Sequence, residues 1–231
     1  MKISVIMPAY NEQKIIRENA SKVDDFLAKT YKDYELLIVD DGSRDSTLEI
    51  VEELSGERKN IKVISYPFNR GKGAAVKAGV MEAVGDYILF TDSDLAYSPE
   101  FLADAVSTLQ EYDIAIGTRY SRGDKAKYKF KRKWISKIFI GYTNSMLKTK
   151  FSDIQAGIKG FRKACAKDIF NKLTIFGFGF DVEILALAKT GKYTIGEFAV
   201  EVTGQRKSSK VRVLKDSFKM FFNVVSVWWR H

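Results

Sequence analysis

Short apolar runs alternate along this chain with longer segments whose apolar positions recur at helical spacing. Lys2–Met7 is predicted to be a buried strand ended by Pro8, which cannot donate to a sheet ladder. Pro8-Ala-Tyr-Asn-Glu12 is then a loop. Glu12 to Lys29 follows as a helix with Ile15, Ile16, Val23, Phe26 and Leu27 at its apolar positions. Tyr34–Val39 and Ile61–Ser65 are predicted strands flanking a helix that starts near Ser46 or Thr47 and buries Ile50, Val51 and Leu54. Asn69-Arg-Gly-Lys-Gly-Ala-Ala75 is a basic, glycine-rich turn opening a small-residue helix that ends near Gly85. Beyond it come the strand Tyr87–Thr91, a helix from Pro99 to Glu111 and the strand Asp113–Gly117. Asp153-Ile-Gln-Ala-Gly157 is a turn leading into Ile158–Phe161, a helix covers Asp181–Lys189, and a hairpin or strand pair runs through Tyr193–Val202. Strand and helix in alternation predict a mostly parallel sheet covered on both faces, a nucleotide-binding α/β/α sandwich.

The polar residues at the strand ends change this picture from a scaffold to a site. Asp40, Asp41, Asp92 and Asp94 all fall at strand C-termini, where open α/β sheets bind ligands. Asp92 and Asp94 leave two readings. One is a solvated turn in which Asp92 caps the helix begun by Pro99. The other is a site for a divalent cation carried in on a diphosphate, since Mg²⁺ is typically held by one or two carboxylates plus phosphate oxygens. The glycine-rich turn is not a Walker A loop, because Gly71-Lys72 is followed by Gly73 instead of Ser or Thr. The first strand does not lead into G-x-G-x-x-G either, which argues against a dinucleotide fold.

Composition adds an anionic partner. Lysine and arginine exceed the acids enough for a formal net charge of +9, which suits a nucleotide, an anionic lipid surface or a nucleic acid. Residues 119–137 interleave cations with Tyr120, Tyr128, Phe130 and Trp134, a pattern shared by solvated faces, membrane interfaces and single-strand nucleic-acid sites. A nucleic-acid role leaves the strand-end acids unexplained, so none is expected. The single cysteine, Cys165, excludes an internal disulfide and fits a reducing compartment. No stretch reaches the ~18 apolar residues of a membrane span. The strand that starts at Lys2 predicts no secretory leader.

Five motifs in order carry a resemblance: Pro8-Ala-Tyr-Asn-Glu12, Val39-Asp-Asp-Gly-Ser43, Asn69-Arg-Gly-Lys-Gly73, Asp92-Ser-Asp94 and Gly117-Thr-Arg119. Together they resemble the inverting glycosyltransferases of family 2, with the GT-A fold. Lys131-Arg-Lys-Trp-Ile-Ser136, Asp153-Ile-Gln-Ala-Gly157, Phe180-Asp-Val-Glu183 and Ser208-Ser-Lys210 are similar to the dolichyl- and polyprenyl-phosphate sugar synthases. The resemblance implies a hexosyltransferase that moves a sugar from a nucleoside diphosphate to polyprenyl phosphate with inversion. UDP-glucose is favoured as donor over GDP-mannose. A GDP-mannose-dependent dolichyl-phosphate mannose synthase, or a family 2 enzyme with a non-lipid acceptor, are the alternatives.

The resemblance also implies roles. Pro8, Tyr10, Glu12, Asp41, Lys72, Asp92 and Ser93 would hold the nucleotide sugar, and Asp92 and Asp94 a Mg²⁺ or Mn²⁺ ion. Asp94, Arg119 and Asp181 are the expected catalytic residues. Arg119, Arg132, Gln155, Arg206 and Lys210 are expected at the acceptor phosphate. Mannose synthases tend to carry a glutamine two residues after the second acid, where this chain has Ala96. Asp181 falls roughly where relatives carry a base; capping of its own helix is the other reading. Residues 1–118 would form the donor half and 119–212 the acceptor half. Residues 213–231 would be an amphipathic C-terminal helix; Phe130–Leu147 and Val213–Trp229 are the expected membrane-surface contacts, and packing of both on the sheet is the other reading. The implied location is the cytoplasmic face of a membrane, as a peripheral protein with a membrane partner subunit or in a homo-oligomer.

Overall fold

The computed structural model describes residues 1–119, 141–145, 151–154, 156–177 and 179–202. Their elements are β1 (Ile3–Ala9), α1 (Ile16–Thr30), β2 (Tyr34–Asp40), α2 (Thr47–Glu57), β3 (Ile61–Ser65), α3 (Lys72–Glu82), β4 (Tyr87–Thr91), α4 (Phe101–Thr108), β5 (Ile114–Thr118), β6 (Ile158–Arg162), α5 (Lys163–Lys172), α6 (Phe180–Thr190) and β7 (Ile195–Ala199). The strands form one sheet in the order β3-β2-β1-β4-β6-β5-β7.

Alternation along the strands sends side chains to two separate cores. Ile3, Val5 and Met7 of β1, with Leu36 and Ile38 of β2, pack under α1, α2 and α4. Ile6, Leu37 and Val39 point the other way, into a core closed by α3, α5 and α6. This is the sandwich that the apolar pattern predicts. The second core is rich in aromatic rings: Phe90 stacks with Phe161 at 6.3 Å and lies 6.0 Å from Phe180, while Phe170 meets Phe161 edge-on at 5.4 Å. Truncating a buried phenylalanine such as Phe90 to alanine typically costs ~3–5 kcal/mol.

β1 pairs in parallel with β2 on one side and β4 on the other, and the chain turns from one direction of winding to the other between them. Ligands bind at such a switch point, outside the carboxyl ends of the strands. The sequence places Pro8-Ala-Tyr-Asn-Glu12, Asp40-Asp41 and Asp92-Ser-Asp94 at the ends of these three strands, so three loops distant in the chain become neighbours.

Three expectations need correction. β1 does not stop at Pro8 but runs on to Ala9, because its ladder with β4 ends at Ile6 and Pro8 needs only the pairing with Val39. The first helix starts at Ile16, not at Glu12, because the Glu12 carbonyl accepts from the amides of Ile15 and Ile16 in a preceding turn. Tyr193–Val202 is no hairpin: β7 is a single strand, parallel to β5, with an isolated bridge from Val202 to Tyr97. β6 is antiparallel to both β4 and β5, a reversal that its apolar pattern does not encode.

Candidate active site

The donor side is built from loops tied to one another through short polar side chains. Asn11 adopts a left-handed backbone at φ 53°, its amide donates to Ser43 Oγ at 2.9 Å, and its Oδ1 accepts from the Arg44 amide at 2.8 Å. The Glu12 amide donates to Thr47 Oγ1 at 2.8 Å, and Asp45 Oδ1 accepts from the Thr47 amide at 3.0 Å in a local turn just before α2. The Pro8–Glu12 loop, with the partly exposed Tyr10 and Glu12, is thereby fixed against the loop after β2.

Asp40 and Asp41 have different tasks. Asp40 Oδ2 accepts from the Ser43 amide at 3.1 Å within its own turn. Asp41, buried, reaches across to the basic turn: Asn69 Nδ2 and the amides of Arg70 and Gly71 donate to its carboxylate at 2.8, 2.8 and 3.0 Å. Burial, followed by the neighbouring Asp41 carboxylate, raises the pKa of the Tyr66 phenol above its usual value. Gly71 is required in this turn, because its φ is 100° and a Cβ there would lie 2.5 Å from the Phe176 carbonyl oxygen. The expected nucleotide residue Asp41 therefore also shapes the loop that presents Lys72.

Beyond that loop lies a chain of alternating charges. Lys72, the first residue of α3, places Nζ 2.5 Å from Asp92 Oδ1. Lys159 Nζ donates to Asp181 Oδ1 at 2.7 Å and to the Ala156 carbonyl at 2.8 Å, with the lysine wholly buried. Both ammonium groups face the Phe90 ring, at 5.8 and 5.6 Å from its centroid. Burial acts against the charge on Lys72, yet the carboxylates of Asp92 and Asp181, and more weakly Asp94, outweigh it and raise its pKa. Asp92 does not cap α4, whose N-cap is Glu100; it turns towards Lys72, and Gly157 leaves room for it, since a Cβ there would collide with Asp92 Oδ2.

The Asp92–Asp94 loop is held from below by Asn19 of α1, whose Nδ2 donates to the Ser93 carbonyl at 2.8 Å. Ser93 is buried, Leu95 takes a left-handed backbone at φ 43°, and the Ala96 amide donates to Asp94 Oδ1 at 3.2 Å. Glu183, fully buried two residues after Asp181, accepts from the amides of Thr174 and Ile175 at 2.9 and 2.6 Å and so fixes the segment entering α6. Lys159 and Asn19 are the residues that sequence reasoning missed; Glu183 entered it only as the last residue of the Phe180-Asp-Val-Glu183 motif, with no role assigned. Lys159 had one signal, a lone lysine inside the apolar run Ile158–Phe161.

Asp92 and Asp94 offer hard oxygen donors of the kind that Mg²⁺ and Mn²⁺ prefer. Among the described residues no three acidic, histidine or cysteine side chains converge on one point, so phosphate oxygens would have to complete the ion's shell. That donor set fits a cation arriving with a diphosphate. At the far side, Arg119 follows β5 and its guanidinium grips Asp153, Nε to Oδ2 at 2.5 Å and Nη2 to Oδ1 at 2.9 Å. Arg132, Gln155, Arg206 and Lys210 lie outside the described residues, as do Val213–Trp229 and most of Phe130–Leu147. No helix among the described residues is long and apolar enough to cross a membrane.

Residues 4–170 match the model of the family described as glycosyl transferase family 2. A dolichyl-phosphate beta-glucosyltransferase of Dictyostelium discoideum is 34% identical over 98% of this chain and 76% of its own length. A dolichol-phosphate mannosyltransferase of Pyrococcus furiosus is 36% identical over 84% of this chain, which spans only 54% of that relative. Among solved structures, glucosyl-3-phosphoglycerate synthase from Mycobacterium tuberculosis, in complex with Mn²⁺, UDP and phosphoglyceric acid, superposes with a TM-score of 0.76. That match covers 98% of this chain and 78% of the other at 18% identity, and it establishes the GT-A fold.

Proposed function

Since the chain belongs to glycosyl transferase family 2, we propose that it transfers a hexose, with inversion, from a nucleoside-diphosphate sugar to dolichyl or another polyprenyl phosphate. The observation that carries this reading is the likeness, along almost the whole chain, to the Dictyostelium dolichyl-phosphate beta-glucosyltransferase. UDP-glucose is the favoured donor and GDP-mannose the alternative; the Pyrococcus relative, a mannosyltransferase, supports mannose as the alternative sugar.

The geometry supports a division of labour. Pro8, Tyr10, Glu12 and Asp41, with the loops they belong to, receive the nucleoside. Asp92 and Asp94 would hold Mg²⁺ or Mn²⁺; the superposed synthase carries Mn²⁺ together with UDP. When bound, that ion offsets the charge growing on the nucleoside-diphosphate leaving group. Lys72, in contact with Asp92, adds a positive charge for the same diphosphate. Asp181, held by Lys159, is assigned to the transferred sugar and acceptor. Residues 1–118 serve the donor, and 119–212, through Arg119, Arg132, Gln155, Arg206 and Lys210, serve the acceptor.

A phosphomonoester has its second pKa near ~6, so the acceptor arrives ionised and is its own nucleophile. Cationic positioning matters more for it than a general base, and arginine suits the bidentate contact. The acceptor's hydrocarbon tail stays in the bilayer, so the enzyme works as a peripheral protein on the cytoplasmic face, through Phe130–Leu147 and Val213–Trp229. A partner subunit or second copy would strengthen that contact. The deciding experiment is transfer of labelled sugar into butanol-extractable lipid, with UDP-glucose and GDP-mannose each supplied in turn. Lipid-phosphate-dependent label with one donor is the expected result. Label that appears only in soluble acceptors would overturn the reading.

A further inference from the structure

Asp181 and Asp92 are neutralised by lysines of opposite character. Lys159 is wholly buried within β6 and is also anchored to the Ala156 carbonyl, so it cannot leave Asp181 without stranding a charge in the core. Lys72 is 22% exposed and stands at the N-terminal end of α3, with its ammonium on Asp92 Oδ1 at 2.5 Å. The aromatic faces of Phe90 and Phe180, 5.8 and 5.9 Å from Nζ, line the same spot. If Lys72 withdraws, Asp181 keeps Lys159 while Asp92 loses its ion-pair partner. The carboxylate that is left needing a cation is therefore the one assigned to the metal.

We propose that Lys72 is an internal stand-in cation, holding Asp92 in the empty enzyme so that the divalent ion enters together with the nucleoside diphosphate and not before it. The inference rests on the reading that Asp92 and Asp94 take the metal. An ammonium in contact with Asp92 and a divalent cation on the same carboxylate repel each other, so the lysine lowers the affinity for the metal alone. A diphosphate reverses the balance, because it supplies oxygens to the ion and a new anionic partner to the lysine. The flexible four-carbon stem lets the ammonium change partners while α3 stays in place. The coupling is reciprocal, with metal and nucleotide each raising affinity for the other.

Mn²⁺ binding to the full chain, followed by the electron paramagnetic resonance of free ion and by calorimetry, tests this without turnover. The titrations are run with Mn²⁺ alone and with UDP or GDP present. Wild type is expected to bind Mn²⁺ weakly alone and far more tightly with nucleotide. Lys72→Met should bind Mn²⁺ alone about tenfold or more tightly than wild type, the scale on which a contacting charge changes cation affinity at a carboxylate. It should also lose most of the gain from nucleotide, while Lys72→Arg should behave like wild type. Equal Mn²⁺ affinity in wild type and Lys72→Met, both folded by circular dichroism, would overturn the lysine's role and leave the metal reading standing. No Mn²⁺ binding in any protein with either nucleotide would overturn the metal reading and the inference with it. Should Lys72→Met fail to fold, wild type decides: Mn²⁺ bound as tightly without nucleotide as with it overturns the stand-in role.

Discussion

Arg119 and Asp153 form a fork of two hydrogen bonds across a wide stretch of chain, Nε to Oδ2 at 2.5 Å and Nη2 to Oδ1 at 2.9 Å. Asp153 is fully buried, and the arginine is 17% exposed. The residue expected to meet the acceptor phosphate is thus also a counter-charge of a buried carboxylate, and the two roles can be separated. Arg119→Ala is expected to lower folding stability by about 3–5 kcal/mol, because it removes both hydrogen bonds of the fork from the fully buried Asp153. Arg119→Ala with Asp153→Asn should recover much of that loss while transfer stays impaired. Calorimetric melting of the single and double variants, read beside lipid-linked product, checks both parts.

Metal dependence follows from the oxygen donors at the end of β4. Asp94→Ala is expected to abolish transfer while leaving the fold intact, since Asp94 is only partly buried and lies in a loop beyond the end of β4. EDTA should silence the wild type, and Mg²⁺ or Mn²⁺ should restore it. Full turnover by the metal-stripped enzyme would contradict the assignment.

For Asp181 the expected effect is small on chemistry and larger on stability. If the lipid phosphate is its own nucleophile, Asp181→Asn should slow transfer within about tenfold per folded molecule, below the ~10²–10⁴-fold that general-base catalysis supplies. A loss in that larger range would make Asp181 the base. Lys159→Met should destabilise more than Lys159→Met combined with Asp181→Asn, because only the single change leaves the carboxylate without its buried partner. Denaturant titration of the full cycle measures the coupling.

Acid sensitivity should centre on Glu35. This buried carboxylate accepts from Ser4 Oγ at 2.6 Å, Lys62 Nζ at 2.8 Å and the Val84 amide at 2.8 Å. Burial alone would raise its pKa, but the bonds from Lys62, Ser4 and Val84 together bring it below the ordinary 4.5. A depressed folded-state value means that the stabilisation is full above about pH 4.5 and is lost as pH falls through the lower value. Glu35→Gln is expected to reduce stability by about 1–3 kcal/mol at neutral pH and to flatten its decline on acidification. Melting temperatures measured from pH 7 down to acid, wild type against variant, give the comparison.

What the sequence determined by itself is local and periodic. Short apolar runs at Ile3–Met7 and Tyr34–Val39 placed two buried strands, because a run apolar at successive positions suits a strand covered on both faces. The acids at the ends of β2 and β4 were legible for a related reason: a carboxylate directly after a buried run must lie at the sheet's edge. Tertiary structure alone decided what those acids touch. The reversal of β6, the pairing of Lys72 with Asp92 and the burial of Lys159 against Asp181 depend on strands and helices far apart in the chain meeting in one arrangement. A lysine in an apolar run carries no mark of its partner, since a buried charge is stabilised by whichever opposite charge the fold brings within reach, and spacing along the chain does not record that distance.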